Sequence, residues 1–383
     1  MDKKNKWVCF LVLIISVLFL YCGNKIATSH SENILVQNRE SELEDQVFAQ
    51  VLKIDSVSPK QDDKTINIVK FTAKVTNGKA KDSIVHATQY SYLNNTTMPK
   101  AVSEKDNVVL SKLSSDNTVD WAFENYERID QIIILSIIFI VLILLFGGKK
   151  GISAILSLAF TCLSIFYVFV PFIMAGYNIY LSTIIICIFI IEVTFVLTSG
   201  INKKSLAAAI GCAGGVVFSG CIYCIMDKTM KLTGFYNDES TRLTELFVNQ
   251  PLNLRAIVFA MVTIGALGAT MDVAMSISSS LDEISNSGNK VSRSSIIKSG
   301  LNIGKDIMGT MTNTLILAYI GSSLVTVVIY SASNYPLLQL LNKEEIIIEF
   351  LQSLVGSLGM LLTIPFTTVI SAILLTNIPK RHY

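Results

Sequence analysis

GALGATMDVAMSISSSLDEI, residues 265–284, and GLNIGKDIMGTMTN, residues 300–313, decide how this chain is read. Each stretch overlaps an apolar run of helical length, 254–277 and 301–331, and each carries charge where lipid is expected. Asp272 stands in the first; Lys305 and Asp306 stand in the second. An Asp at the centre of a membrane helix costs roughly 2.5–3.5 kcal/mol on insertion scales, so it calls for a structural pair or a function.

Working outward, comparable runs occupy about 131–146, 151–171, 178–199, 205–226 and 348–376. A shorter one, Trp7 to Tyr21, follows Lys3, Lys4 and Lys6. A bilayer core of roughly 30 Å takes about 20 helical residues, so the chain reads as an α-helical polytopic membrane protein of about eight spans. The N-terminal segment, 1–22, has the form of a signal anchor. No small-x-small pattern closes it, and Tyr21 before Cys22 suits lipoprotein cleavage poorly, so an uncleaved anchor is expected.

Composition agrees. The 383 residues are 51% hydrophobic and 16% charged, against about 25% charged in soluble domains, and the mean hydropathy is +0.54. The net charge of +2 and the lack of a basic stripe with interleaved aromatics speak against nucleic acid; the expected partner is the lipid bilayer.

Residues 23–130 read differently. A tether rich in Ser, Asn and Glu, 23–46, leads into short alternating runs at 47–54, 66–75, 83–93, 107–113 and 119–126. Turn material such as Asn77-Gly78-Lys79 separates them. Period-two alternation with β-branched and aromatic residues predicts strands. Five strands in so short a segment predict a small all-β domain over 47–127, an OB-like barrel. His86 reads as an ordinary strand residue. Asn95-Thr96-Thr97 matches a glycosylation sequon, which means nothing without a eukaryotic context.

Seven cysteines lie in apolar segments or at their edge, none in the interior of 23–130, so the β domain has no disulfide of its own. Cys221 and Cys224 form a CxxC inside an apolar run. With no neighbouring His or second CxxC they read as free thiols, and no metal or cofactor is expected.

Cations set the orientation. Lys3, Lys4 and Lys6; Lys149 and Lys150; Lys203 and Lys204; Lys290, Arg293 and Lys298; and Lys380 and Arg381 fall in alternate inter-span segments. An eight-span chain puts all of them, and both termini, in the cytosol, with the β domain outside.

Ionisable residues recur at one depth. Glu192 in the 178–199 run, Asp272, and the Lys305-Asp306 pair each lie five to eight residues from the cytosolic end of their run, or roughly 8–12 Å at 1.5 Å per residue. Helical spacing puts Gly265, Gly268, Asp272 and Ser276 on one face, and Asn302, Asp306, Gly309 and Asn313 on another. Small residues let helices approach, so both stripes are expected to face protein. Either Lys305 pairs with Asp272 or Glu192 to lock the bundle, or the carboxylates carry a cation or proton. No HExxH, GxSxG or GxGD motif supports an enzyme.

The two stretches 265–284 and 304–324 (GKDIMGTMTNTLILAYIGSSL) resemble the YibE/F-like family of bacterial multi-pass membrane proteins. The resemblance covers most of 131–378. It implies a location in the bacterial inner or plasma membrane and places Asp272, Asp306 and Asn313 at motif positions. Arg is the family's usual residue where Lys305 stands here, so it implies a cation there without bidentate geometry. It implies no substrate.

The sequence therefore predicts a transporter or permease, linked to a proton or cation through Asp272 and Asp306, with Glu192 as a third carboxylate, Lys305 as charge partner and Asn313 beside them. Gly265, Gly268, Gly304 and Gly309 are the expected helix-packing positions. The alternative is a non-transporting scaffold whose outer domain binds an envelope component or a partner membrane protein.

Overall fold

The computed structural model describes residues 11–29, 46–59, 66–78, 80–92, 100–115, 118–248, 251–287, 291–333 and 335–376. Lys3, Lys4 and Lys6, the tether over 30–45, the Asn95-Thr96-Thr97 sequon, Lys290, Lys380 and Arg381 lie outside the described residues. The chain divides into two compact units, 32–145 and 1–31 with 146–383.

The first unit carries five strands: β1 (Gln46–Pro59), β2 (Ile66–Val75), β3 (Ile84–Tyr92), β4 (Asn107–Ser115) and β5 (Thr118–Tyr126). They close into a barrel in the order β1-β2-β3-β5-β4. All neighbours are antiparallel except β3 and β5, which run parallel through Ala87↔Trp121 and Thr88↔Ala122. This is the OB-like arrangement the alternating runs predict. Val47, Ala49 and Val51 of β1 and Val69, Phe71, Ala73 and Val75 of β2 point inward, which is the period-two pattern of a strand with one buried face. β1 serves two neighbours, β4 through 46–50 and β2 through 49–59; register shifts after Val51 and Ile54 bend it to do so. The β2–β3 turn uses Gly78 at φ +71°, and Asn77 Oδ1 accepts the Phe48 N–H at 2.7 Å, tying the turn to β1.

The helices are α1 (Leu11–Ser29), α2 (Ile129–Leu163), α3 (Val170–Met174), α4 (Ile179–Ser199), α5 (Lys203–Met230), α6 (Asp238–Leu246), α7 (Leu254–Asn286), α8 (Arg293–Ala332), α9 (Leu337–Leu340) and α10 (Glu344–Thr376). A π-helical turn, Ser164–Phe169, joins α2 to α3. Among the described residues, seven helical segments are long and apolar enough to cross a membrane. The runs 131–146 and 151–171 are counted together in the 46-residue segment Ile129–Met174, which holds two helical pieces. Gly148, at φ 51° and ψ −126°, breaks that segment, and Lys149 and Lys150 follow the break directly. α1 extends to Ser29, past the expected anchor end at residue 22.

Polar side chains cap the helix starts. Asn202 and Asn237 form capping boxes with Ser205 and Ser240 on α5 and α6, and Asn178, Asn253 and Ser292 cap α4, α7 and α8. Each occupies an N–H left without an intrahelical partner.

In the helical unit α5, α7 and α10 pack on one another, with α4 against α5 and α7, and α8 against α7 and α10. α1 docks on α4 by stacking Phe19 on Phe189, centroids 4.2 Å apart. The closest approach is between α5 and α10. A Cβ on Gly211 would sit 2.0 Å from Thr367 Oγ1, one on Gly215 1.9 Å from Thr363 Oγ1, and one on Gly359 1.8 Å from Ser219 Oγ. Gly211, Gly215 and Ser219 recur every fourth residue, as do Gly359, Thr363 and Thr367. This is the small-residue seam by which membrane helices gain contact without a hydrophobic drive.

Candidate functional site

The two polar stripes lie on α7 and α8. α7 buries Val258, Val262, Ala266, Val273, Ile277 and Leu281 against its neighbours. That orientation turns Gly268, Asp272 and Ser276 outward, where all three are exposed. α8 lays Ile296, Gly300, Ile303, Gly304, Ile307 and Met311 on the bundle, and turns Asn302, Asp306, Gly309, Thr310 and Asn313 outward, likewise exposed. The expectation that both stripes face protein is therefore not met within this chain. α7 has α4, α5, α8 and α10 around it, and only the face between α4 and α8 is left.

The stripes belong side by side. Leu281 lies against Gly300, and Gly265 against the Tyr319 hydroxyl, so α7 and α8 run antiparallel. Interpolating between those contacts puts Ser276 about level with Asp306, and Asp272 about level with Thr310. Glu192 shares the depth: α4 touches α7 at Tyr180–Phe259 and at Ser199–Met275, which sets Glu192 about level with Ala269. The three carboxylates fall within roughly 10 Å along the bundle, at 1.5 Å per residue. α7 and α8 continue past the ends of their apolar runs, so Asp272 and Asp306 lie about 20 Å from the α7–α8 hairpin tip, at the same rise.

Depth is shared; direction is not. Glu192 lines a cavity of about 300 Å³ between α4 and α5, with Asn202 and Lys203. Lys305 lines a different one, about 420 Å³, between α8 and α10, with Lys298, Asn302 and Pro365. Asp272 and Asp306 line neither. Among the described residues, Glu192, Asp272, Lys305 and Asp306 make no ion pair and no side-chain hydrogen bond, so neither Asp272–Lys305 nor Glu192–Lys305 forms. Lys203, in the Glu192 cavity, instead donates to the Leu374 carbonyl at 2.7 Å.

The four glycines divide likewise. A Cβ on Gly304 would lie 2.1 Å from Ile364 Cγ2, so α8 and α10 do meet there, and one on Gly265 would meet the Tyr319 hydroxyl at 2.4 Å. Gly268 and Gly309 have nothing within 4 Å.

Two features escape the sequence reading. Asp227 at the end of α5 takes both Arg255 Nε, at 3.0 Å, and Arg255 Nη2. The Tyr223 hydroxyl donates to the Arg255 carbonyl beside it at 3.0 Å. Both charges flank a loop, so neither reads as intramembrane. Glu349 stands inside the apolar run 348–376, one residue from its start, where a boundary carboxylate passes for a helix end. In contrast, Glu344 at the α10 start accepts the N–H groups of Thr233 and Gly234, both at 2.7 Å, and pins the loop after α5. Cys221 and Cys224 are free thiols, exposed and half-buried respectively.

The profile of the YibE/F-like protein family matches residues 135–377. No curated protein and no solved structure matches the chain. The matched span takes in every helix of the polar layer, from α4 to α10, and it covers well over half of the sequence: the chain belongs to the YibE/F-like family.

Proposed function

We propose that this protein is a permease of the bacterial cell membrane, with the polar face of α7 and α8 as one wall of its path. One observation carries the reading. Gly268, Asp272 and Ser276 on α7 and Asp306, Thr310 and Asn313 on α8 lie at matching levels and face out of the chain together. Two Asp side chains in lipid would cost about 5–7 kcal/mol on insertion scales, so this face meets water or another protein surface. Asp272 and Asp306 are the groups that take up and release a proton or cation, with Asn313 beside them as a neutral ligand. Glu192 and Lys305 act from their own grooves. The cation distribution supports cytosolic termini and an outer β domain.

Cysteine accessibility tests this without a known substrate. In a chain whose native cysteines are replaced by Ser, Asp272→Cys, Ser276→Cys and Asn313→Cys are treated with a charged, membrane-impermeant maleimide. Labelling at all three, with Val325→Cys on the apolar part of α8 unlabelled, is the expected result. If all three resist labelling but cross-link between chains, the face is an interface and the permease reading falls.

The scaffold reading has one observation of its own. A groove of about 660 Å³, lined by Lys105, Asp106, Tyr126, Arg128 and Gln131, opens at the base of the barrel. A soluble peptide or glycan that bound there would favour it.

A further inference from the structure

A second polar site lies between α8 and α10, apart from Asp272 and Asp306. A cleft of about 100 Å³, open on one side, is lined by Ile316, Tyr319, Ile320 and Ser323 of α8 and by Ile346, Glu349 and Ser353 of α10, among others. Its walls are otherwise apolar. Glu349 Oε2 is fully buried and has no hydrogen-bond partner among the described residues. Ser353, 7% exposed, lines the same space, and its hydroxyl likewise makes no hydrogen bond among them. Ser323 spends its proton on the Tyr319 carbonyl at 2.9 Å, which leaves its oxygen lone pairs free.

The neighbouring carboxylate shows what a satisfied one looks like here. Glu345, one turn earlier, takes Thr326 Oγ1 at 3.1 Å on one oxygen and the Tyr330 hydroxyl at 2.9 Å on the other. Lys343, the nearest cation in sequence, lies over the Tyr330 and Tyr335 rings, 5.8 and 5.0 Å from their centroids. Among the described residues no ion pair involves Glu349. The other titratable groups around it are Tyr236, Tyr319 and Glu345, and none of them is cationic.

A buried carboxylate oxygen with no donor must be neutralised, by a counter-charge or by its own proton, since an unpaired charge in apolar surroundings is among the costliest features a fold can hold; the two further unspent oxygens beside it, on Ser353 and Ser323, favour the counter-charge. Oxygen-only donors select a hard cation. A single carboxylate neutralises a single charge, and a divalent ion would leave a net positive charge among Ile, Val and Phe side chains. The geometry points to a binding site for one sodium-sized monovalent cation, held by Glu349, Ser353 and Ser323, with water completing its shell. The Tyr319 ring bounds the cleft on the α7 side, its hydroxyl against Gly265. The site therefore ends where the outward polar stripe of α7 begins. The inference stands whether or not the permease reading does, because its readout is binding, not flux.

The test uses the purified full chain in detergent. Thermal unfolding is followed in sodium chloride and in choline chloride at equal ionic strength. Sodium is expected to raise the midpoint by about 3 °C or more over choline, the linkage expected of a ligand that binds only the folded state. Glu349→Gln should lose the shift, Ser353→Ala should need roughly tenfold more sodium to reach it, a loss of about 1.4 kcal/mol, and Glu345→Gln should keep it. Should Glu349→Gln fail to fold, retention of radioactive sodium by wild type and by Ser353→Ala decides the matter. An equal midpoint in sodium and choline, or a full shift in Glu349→Gln, overturns the site: the oxygen is then met by its own proton.

Discussion

Gly215→Ala tests the seam that holds the helical unit together. The new methyl group would sit 1.9 Å from Thr363 Oγ1 and 2.7 Å from the Gly359 carbonyl oxygen. Thr363 can rotate away, but it then gives up its 2.9 Å hydrogen bond to the Gly359 carbonyl, worth about 1 kcal/mol. The carbonyl itself cannot rotate, so α5 and α10 must part. Separation is resisted one turn on, where Gly359 lies so close to Ser219 that a Cβ there would have only 1.8 Å. Overpacking of this kind costs about 1–3 kcal/mol. Ala regains about 1 kcal/mol of helix propensity over Gly. The net is a destabilisation of about 2 kcal/mol, a midpoint lower by roughly 4–8 °C for a unit of this size. The assay is thermal unfolding in detergent of the full chain with every cysteine but Cys187 and Cys212 replaced by Ser, followed with a thiol-reactive fluorogenic dye that reads these two buried thiols as they open. Gly268→Ala is the control: nothing lies within 4 Å of its Cβ, so it should match or slightly exceed wild type. The reasoning is refuted if Gly215→Ala unfolds no earlier than wild type, or if Gly268→Ala falls as far.

Two further outcomes follow from charge placement. The Asp227–Arg255 pair is asymmetric, with side chains 7% and 44% exposed. Arg255→Ala strands a buried carboxylate and should cost about 3 kcal/mol, whereas Asp227→Asn leaves a guanidinium that water reaches and should cost about half that; equal losses would contradict the burial. In the barrel, the hydrogen bond and charge of Lys74, 2.8 Å away, hold the Asp82 carboxyl below its usual range. That lowering stabilises the fold at pH above the unfolded carboxylate value and is lost as pH falls through the lower folded value. The stability difference between wild type and Asp82→Asn should therefore vanish in acid, and shrink in high salt because both groups are exposed; a difference that persists at low pH would contradict the assignment.

The barrel was legible because its code is local. Alternation along 66–75 sets which side chains enter the core, and Asn77-Gly78 marks the turn, so strands and enclosure follow from neighbours in sequence. The helices were legible for the same reason: runs of apolar residues of bilayer length need no tertiary information. The reading of two runs at 131–146 and 151–171 holds as well, with the non-helical Gly148 separating them without a loop. The levels of Glu192, Asp272 and Asp306 were also read by counting along helices, but the helices continue past their apolar runs, so the counted distance to the helix end is shorter than the one the structure gives.

Direction around each helix was another matter. Small and polar residues on one stripe of α7 predict contact with protein, yet the same pattern serves a face turned to water or to a second protein, and composition does not separate the two. What separates them is which faces the neighbours have already taken. α4, α5, α10 and α8 all pack on α7, so Asp272 is left in the gap between α4 and α8; Lys305 falls into a groove with α10 rather than beside an acid. The seam of Gly211, Gly215 and Gly359 and the placement of Glu349 have the same origin. Each depends on two segments more than a hundred residues apart, or on a helix arriving opposite another, and only packing brings them together. Sequence alone determined that this chain has apolar helical runs of bilayer length, one five-stranded barrel and charges at similar levels on three helices; tertiary structure decided which way those charges face, because periodicity fixes a side chain's angle on its own helix but not the partner that angle will find.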